Sequence, residues 1–157
     1  MNIALNVAQE SYKTHASPQS VNWRTFLRGL AVEFNAQMNS GLSTAILRGV
    51  GHQMAALLPL IAVDSLEALE LEMNLVLVEI GWGRIQLTLL EAERCVVMAH
   101  TGLPQIGSAG EPPGTWLTPV LEGLCEGWMG QQPGADESFR AHTSQYEGDK
   151  LVIRYGR

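Results

Sequence analysis

LPQIGSAGEPPGTWLTPVLEGLCEGW, the stretch from Leu103 to Trp128, joins a loop to a helix near the middle of the predicted fold. The loop contains glycines, which adopt backbone angles closed to other residues, and prolines, which fix φ and remove N–H donors. Such a loop is built to hold one shape. We therefore predict a structural loop formed by Gly107, Gly110, Pro112, Pro113 and Gly114.

A helix follows this loop. Trp116, Val120, Leu124 and Trp128 recur at intervals of four residues and form one wide apolar face. Thr115 is a residue type that caps helix N-termini. These features predict a helix from Thr115 to Trp128.

Two helices are predicted in the first third of the chain. The first spans residues 18–39 and ends at Ser40-Gly41, because glycine commonly terminates helices. The second spans residues 42–57, and Gly49 and Gly51 within it predict close contact with another backbone. The apolar face of this second helix is predicted to consist of Ile46, Val50, Met54 and Leu57.

A third helix begins at a capping box formed by Asp64 and Glu67. Its apolar residues form two stripes, so that both sides of the helix must pack against something. One stripe consists of Leu66, Leu69, Met73, Val76 and Ile80. We predict a subunit interface at the other stripe, which consists of Leu71, Leu75, Val78 and Trp82.

The remaining segments alternate between apolar and polar residues, which is typical of half-buried strands. Two strands are predicted at residues 85–89 and 94–100, and two more around residues 139–143 and 151–155. The order is three helices, a hairpin, a helix and a hairpin. It predicts an α+β fold, an antiparallel sheet with helices on one face.

Composition limits the classes of protein to which the chain can belong. Its 157 residues are 46% hydrophobic and 17% charged, with a formal net charge of −6. We predict an N-terminal arm over residues 1–17 and a single domain over residues 18–157. The low charge predicts apolar surface that a subunit interface would cover. The acidic balance and the lack of a basic cluster exclude nucleic acid as a partner.

The N-terminal sequence lacks the features of a secretory signal, and no apolar run is long enough to span a bilayer. We therefore expect a soluble, cytosolic protein. The histidines, His15, His52, His100 and His142, lie on four separate predicted elements, and we predict no metal and no cofactor. Cys95 and Cys125 are predicted to be buried, reduced thiols.

Glu111, Glu122 and Glu126 are the carboxylates that could supply glycosidase chemistry. Glu122 and Glu126 are one helical turn apart, and we interpret them as a solvated polar stripe. Because no general acid in a desolvating pocket is evident, we predict that the protein is not an enzyme. The tryptophans are interpreted as core or interface residues and not as platforms for sugars.

Four blocks of sequence resemble the D-subunit family of bacterial cellulose synthase. They are FLRGLAVEFNAQM, ILRGVGHQMA, LELEMNLVLVEIGWGRIQL and LPQIGSAGEPPGTWLTPVLEGL, in that order along the chain. The resemblance implies a non-catalytic scaffold that forms a ring-like homo-octamer, a tetramer of dimers. It implies passages in which the N-terminal arm contacts β-1,4-glucan chains, here through Leu5, Asn6, Val7 and Ala8.

The same resemblance implies partners and a location. The partners are other cellulose synthase subunits or a proline-rich accessory protein, and the location is the cytoplasmic side of the membrane-associated synthase complex. The periplasm is the alternative, because the glucan is exported. The order of elements also resembles, more weakly, the 4-vinyl reductase and haem NO-binding folds. That likeness implies a small-molecule sensor or reductase-like domain as the alternative function, with His100 as the candidate haem ligand.

Overall fold

The computed structural model describes residues 18–105 and 115–157. The helices in these ranges are α1 (Pro18–Gln37), α2 (Ser40–Leu57), α3 (Leu66–Glu79) and α4 (Thr118–Gly130). The strands are β1 (Arg84–Leu90), β2 (Cys95–Thr101), β3 (Arg140–Glu147) and β4 (Lys150–Gly156). The predicted α+β fold is confirmed, with its elements in the predicted order. Within the described ranges, no helix combines the length and apolar character needed to cross a membrane.

The four strands form one antiparallel sheet in the order β1-β2-β4-β3. The segment that contains α4 connects the two hairpins along the chain, and the pairing of β2 with β4 joins the hairpins in the sheet. Alternate side chains of the strands are buried in the core with the helices, including Ile85, Met98 and Ile153. Their neighbours Gln86 and Thr88 are exposed. One face of the sheet therefore carries the helices and the other faces solvent, as the alternation predicted.

Polar side chains set the starts of α2 and α3. Asn39 caps α2, and its side chain accepts a hydrogen bond from the Leu42 N–H at 2.9 Å. The predicted stop at Ser40-Gly41 is therefore wrong, because both residues belong to the first turn of α2. The N-cap of α3 is Ser65 and not Asp64.

The predicted start of the fourth helix is also wrong. Thr115–Leu117 form a 3-10 turn, and the α-helix begins at Thr118 with Pro119 in its first turn. Proline is tolerated there because the first N–H groups of a helix have no partner within the helix. α4 is then buried almost all round, with Trp128 fully buried and its Nε1 donating to the Leu58 carbonyl at 2.8 Å.

α2 and α4 cross at very close range. A Cβ atom added to Gly51 would lie 2.0 Å from the Val120 carbonyl oxygen. One added to Gly123 would lie 2.0 Å from the Arg48 carbonyl oxygen. Each glycine therefore admits the opposite backbone at a distance that any side chain would prevent.

This crossing overturns the predicted apolar face of α2. Ile46, Val50 and Leu57 are 36%, 44% and 79% exposed. The buried residues of the helix are smaller on average, because α4 leaves little room between the backbones; they are Ser43, Leu47, Gly51 and Ala55. The close contact predicted at Gly51 is confirmed, but Gly49 has nothing within 4 Å of an added Cβ.

The outer edge of β1 is closed by α3. The Asn74 side chain donates to the Ile85 carbonyl at 2.7 Å and accepts from the Ile85 N–H at 2.8 Å. One turn earlier, Glu70 accepts from the Leu87 N–H at 2.7 Å. These backbone groups would otherwise be available to pair with a strand from another molecule.

Candidate functional site

A half-buried charged cluster joins α2, α4 and β3. Arg48 lies between two carboxylates of α4, with Nη1 2.8 Å from Glu122 Oε2 and Nη2 2.6 Å from Glu126 Oε2. Glu126 also accepts from the Ala141 N–H at 2.8 Å, and Glu122 from the Thr143 N–H at 2.7 Å. The second edge of the sheet is thus closed by carboxylates in the way that α3 closes the first.

The two carboxylates are therefore not the solvated polar stripe that the sequence predicted. Glu122 is only 9% exposed. Burial alone would raise the pKa of Glu126, but the Ala141 N–H, Arg48 and His52 together hold that pKa below its ordinary value. A glycosidase acid needs a raised pKa, so the environment of Glu126 is the opposite of the one required.

The predicted interface stripe on α3 faces solvent in the single chain. Leu71, Leu75 and Val78 are 61%, 58% and 49% exposed. The other side of α3 is packed in the main core through Leu69, Met73 and Leu77. The two-sided character predicted for this helix is present, and its outer side has no partner among the described residues.

Trp82, the fourth residue of that predicted stripe, lies apart from the other three. It is half-buried and packs against both hydrophobic clusters of the domain. Its carbonyl oxygen is 2.7 Å from His100 Nε2. Burial lowers the pKa of His100, and the bond to the Trp82 carbonyl opposes that shift only in part. Because the protein itself buries the ring fully, no space is left beside His100 for a haem.

α1 and α2 present further apolar surface. On α1, Trp23 and Phe26 are 63% and 58% exposed, and Leu42 of α2 is 52% exposed. A cavity of about 450 Å³ lies between these helices and the segment after α3, and Trp23, Val50 and Trp82 are among its lining residues. We call this cavity the helical groove. Ile80, the residue that follows α3, also lines it.

Two predicted sites fall outside the described residues. They are the glucan contact at Leu5, Asn6, Val7 and Ala8, and the structural loop at Gly107, Gly110, Pro112, Pro113 and Gly114. Within residues 18–105 and 115–157, no three His, Cys, Asp or Glu side chains are grouped so that they could hold a metal ion. Cys125 is fully buried, and that burial, together with Glu122, raises the pKa of its thiol to about 12.

Arg48 is the residue that sequence reasoning missed. It is one charge in the apolar run AILRGVG, and its side chain is largely buried. A buried guanidinium requires carboxylate partners. The two acidic residues one turn apart in the otherwise apolar α4 are the sequence feature that indicates such partners. The pairing could not be read directly, because 74 residues separate Arg48 from Glu122.

Comparison of the sequence with known proteins confirms the resemblance to the D-subunit family. The family described as the D subunit of cellulose synthase matches residues 9–156. Cellulose synthase operon protein D of Komagataeibacter xylinus is 44% identical over 110 residues, covering 70% of each chain. The protein of the same name from Komagataeibacter sucrofermentans is 43% identical over 110 residues, again covering 70% of each. The chain belongs to the D-subunit family of cellulose synthase.

Proposed function

We propose that this protein is a non-catalytic scaffold of a bacterial cellulose synthase complex. It assembles into a ring-like homo-octamer, a tetramer of dimers, that guides β-1,4-glucan chains and promotes their packing into crystalline cellulose. Family membership supports a role alongside the products of the cellulose synthase operon. The observation that carries the scaffold role is the exposed apolar surface of the three N-terminal helices.

The exposed apolar side chains of these helices are grouped together and not scattered singly over the surface. α3 alone exposes Leu71, Leu75 and Val78 on one side, at the i, i+4, i+7 spacing by which helices pack together. The helical groove adds apolar residues of α1 and α2. Exposed apolar surfaces of this extent mark interaction sites in soluble proteins.

Both outer strands of the sheet have backbone groups that are already hydrogen-bonded to side chains, which favours assembly through the helices. Glu70 and Asn74 occupy backbone groups of β1, and Glu122 and Glu126 occupy those of β3. Addition of a strand from another subunit would have to displace these side chains. Packing between helices needs no such displacement, and so we place the subunit interface at the helical faces.

The environment of the acidic residues supports a non-catalytic role. Both carboxylates of α4 are engaged by Arg48 and by strand β3. A general acid or nucleophile must instead reach the substrate. We therefore assign these residues to stability and the glucan contacts to the N-terminal arm, at Leu5, Asn6, Val7 and Ala8.

The proposed partners are other cellulose synthase subunits or a proline-rich accessory protein, together with the glucan itself. We place the protein on the cytoplasmic side of the membrane-associated complex, with the periplasm as the alternative. Fractionation of cells that carry a tagged chromosomal copy tests this placement. Recovery of the tagged protein in the periplasmic fraction would contradict it.

Substitution of Leu75 tests the interface. A glutamate at this exposed position would place a charge in the apolar contact without disturbing the core of the chain, so Leu75→Glu should reduce the oligomer mass. Thr88→Glu, on the solvent face of the sheet, is the matched control. Light scattering after size exclusion should give eight times the 17.1 kDa chain mass for the wild type and for the control. A wild-type protein that is monomeric at micromolar concentration would refute the scaffold role.

A further inference from the structure

A small cavity lies at the turn between β3 and β4, beside the helical groove: Leu103 and Gln105 line the cavity, and Pro104 between them lines the groove. Its volume is about 260 Å³. Residues from three parts of the chain line it: the segment after β2, the end of β3 and the start of β4. We call it the Tyr146 cavity, and its lining includes Leu103, Gln105, Tyr146, Asp149, Lys150 and Leu151.

Tyr146 presents its ring in a fixed position. Its hydroxyl donates to Thr118 Oγ1 at 2.6 Å, and Thr118, at the start of α4, is only 5% exposed. The tyrosine itself is 50% exposed. A half-exposed aromatic ring that is anchored at its polar end offers an apolar face to a ligand with little further loss of side-chain entropy.

The rim of the cavity is polar and balanced in charge. Gln105 supplies an amide, Asp149 a carboxylate and Lys150 an ammonium group. Asp149 and Lys150 are neighbours in the chain and follow Gly148, whose φ of +64° fits the turn between β3 and β4. Within the part of the chain that the structure describes, these three side chains make no hydrogen bond or ion pair. Among the described residues, their donors and acceptors are therefore unused. The floor is apolar, because it includes Leu151, which is only 3% exposed.

We propose that the Tyr146 cavity binds one sugar ring of a β-1,4-linked glucan. A pyranose with equatorial hydroxyls has C–H groups on its faces and hydroxyls around its rim, which matches an apolar floor and ring surrounded by polar groups. Recognition sites for drug-sized ligands occupy roughly 300–1,000 Å³, so this smaller cavity holds a single ring while the rest of the chain lies outside it.

Other ligand classes fit the cavity less well. An apolar ligand would bury the rim groups without hydrogen bonds, which is costly. An anion would meet Asp149 and the net charge of −6 of the chain. The neutral polyol is the class that uses both the ring of Tyr146 and the balanced charges of its rim.

This inference rests on the proposed function and adds a glucan contact on the folded domain to the one assigned to the arm. It is tested by saturation-transfer NMR titration of cellohexaose against the full chain and against a chain that lacks residues 2–12. Tyr146→Ala removes the ring, and Asp149→Ala removes a rim group at an exposed turn that the fold does not depend on. Leu89→Ala, a 52% exposed apolar residue on β1, is the matched control. Oligomer mass and melting temperature are compared for every variant.

Tyr146→Ala should weaken cellohexaose binding about fivefold or more in both chain lengths, because an aromatic contact is worth about 1 kcal/mol. Asp149→Ala should weaken it about twofold or more, as expected for the loss of one hydrogen bond. Leu89→Ala should bind as the wild type does.

Two results would overturn the cavity assignment. They are unchanged affinity in both cavity variants and complete loss of binding when the arm is removed. Binding that depends on the arm alone would leave the proposed function standing. A wild-type oligomer that binds no cellohexaose would contradict both the cavity and the guiding role of the arm.

Discussion

Gly49 and Gly51 lie two positions apart on α2 and have opposite surroundings. A Cβ at Gly51 would collide with α4, whereas a Cβ at Gly49 would meet nothing within 4 Å. Gly51→Ala should therefore destabilise the fold by about 1–3 kcal/mol through overpacking. Gly49→Ala should stabilise it by up to about 1 kcal/mol, the difference in helix propensity. Urea denaturation of both variants measures these changes. Equal losses at both positions would contradict the close contact between α2 and α4.

The ionisation of Glu126 makes the free energy of unfolding depend on pH. Its pKa is lower in the folded chain than in the unfolded chain, so its contribution to stability is complete above the ordinary glutamate pKa of about 4.3. That contribution is lost as the pH falls through the lower, folded-state pKa. Melting temperatures measured from neutral pH down to about pH 3 should fall more steeply for the wild type than for Glu126→Gln, whose amide does not titrate. Parallel curves for the two proteins would contradict the role assigned to this carboxylate.

At the scale of elements, each edge of the sheet depends on side chains from one helix. Asn74→Leu removes both bonds to Ile85 and leaves its backbone groups unpaired, which should cost about 1–3 kcal/mol. The opened edge should also promote aggregation, because unpaired strands recruit other strands. Glu79→Gln, an exposed change on the same helix, is the control. Thermal unfolding followed by light scattering measures both effects. Behaviour like that of the control would mean that the edge does not need Asn74.

The elements themselves could be predicted from the sequence, because the periods of helices and strands follow from local backbone geometry. Alternation from Ile85 to Leu89, for example, locates β1 without knowledge of its neighbours and places Ile85 and Leu87 correctly on its buried face, although Leu89, predicted on the same face, is exposed. The buried face of α2 could not be found in this way. Its face is set by the close approach of α4, which favours Gly51 over the more hydrophobic Ile46. A rule that ranks residues by hydrophobicity alone selects the wrong side of such a helix.

Side-chain partners distant in sequence were the part of the candidate site that could not be predicted. The spacing of Glu122 and Glu126 correctly places them on one side of α4. Whether that side faces water or another element depends on Arg48 and on β3, which arrive from opposite ends of the chain. The exposure of Leu71, Leu75 and Val78, in contrast, follows from α3 having more apolar residues than one helix face can bury.

At the scale of the whole molecule, assembly and glucan guidance should be separable. The apolar surface proposed for assembly begins at Trp23 on α1 and continues on α2 and α3. Residues 2–12 precede it and are rich in groups that hydrogen-bond to hydroxyls, including Asn2, Asn6, Gln9, Ser11 and Tyr12. Contacts of that kind are individually weak, on the order of millimolar for a short oligosaccharide, which suits a chain that must slide.

Deletion of residues 2–12 should therefore leave the oligomer mass unchanged and lower the crystallinity or the yield of cellulose. The deletion removes the proposed glucan contacts but none of the apolar surface proposed for assembly. X-ray diffraction of cellulose from the deletion strain, compared with wild type, measures order, and size exclusion of the purified protein measures assembly. Leu75→Glu in the same strain background provides the complementary case, because it should disrupt assembly while the arm remains intact. Wild-type cellulose from a correctly assembled protein without its arm would rule out guidance and leave the scaffold role alone.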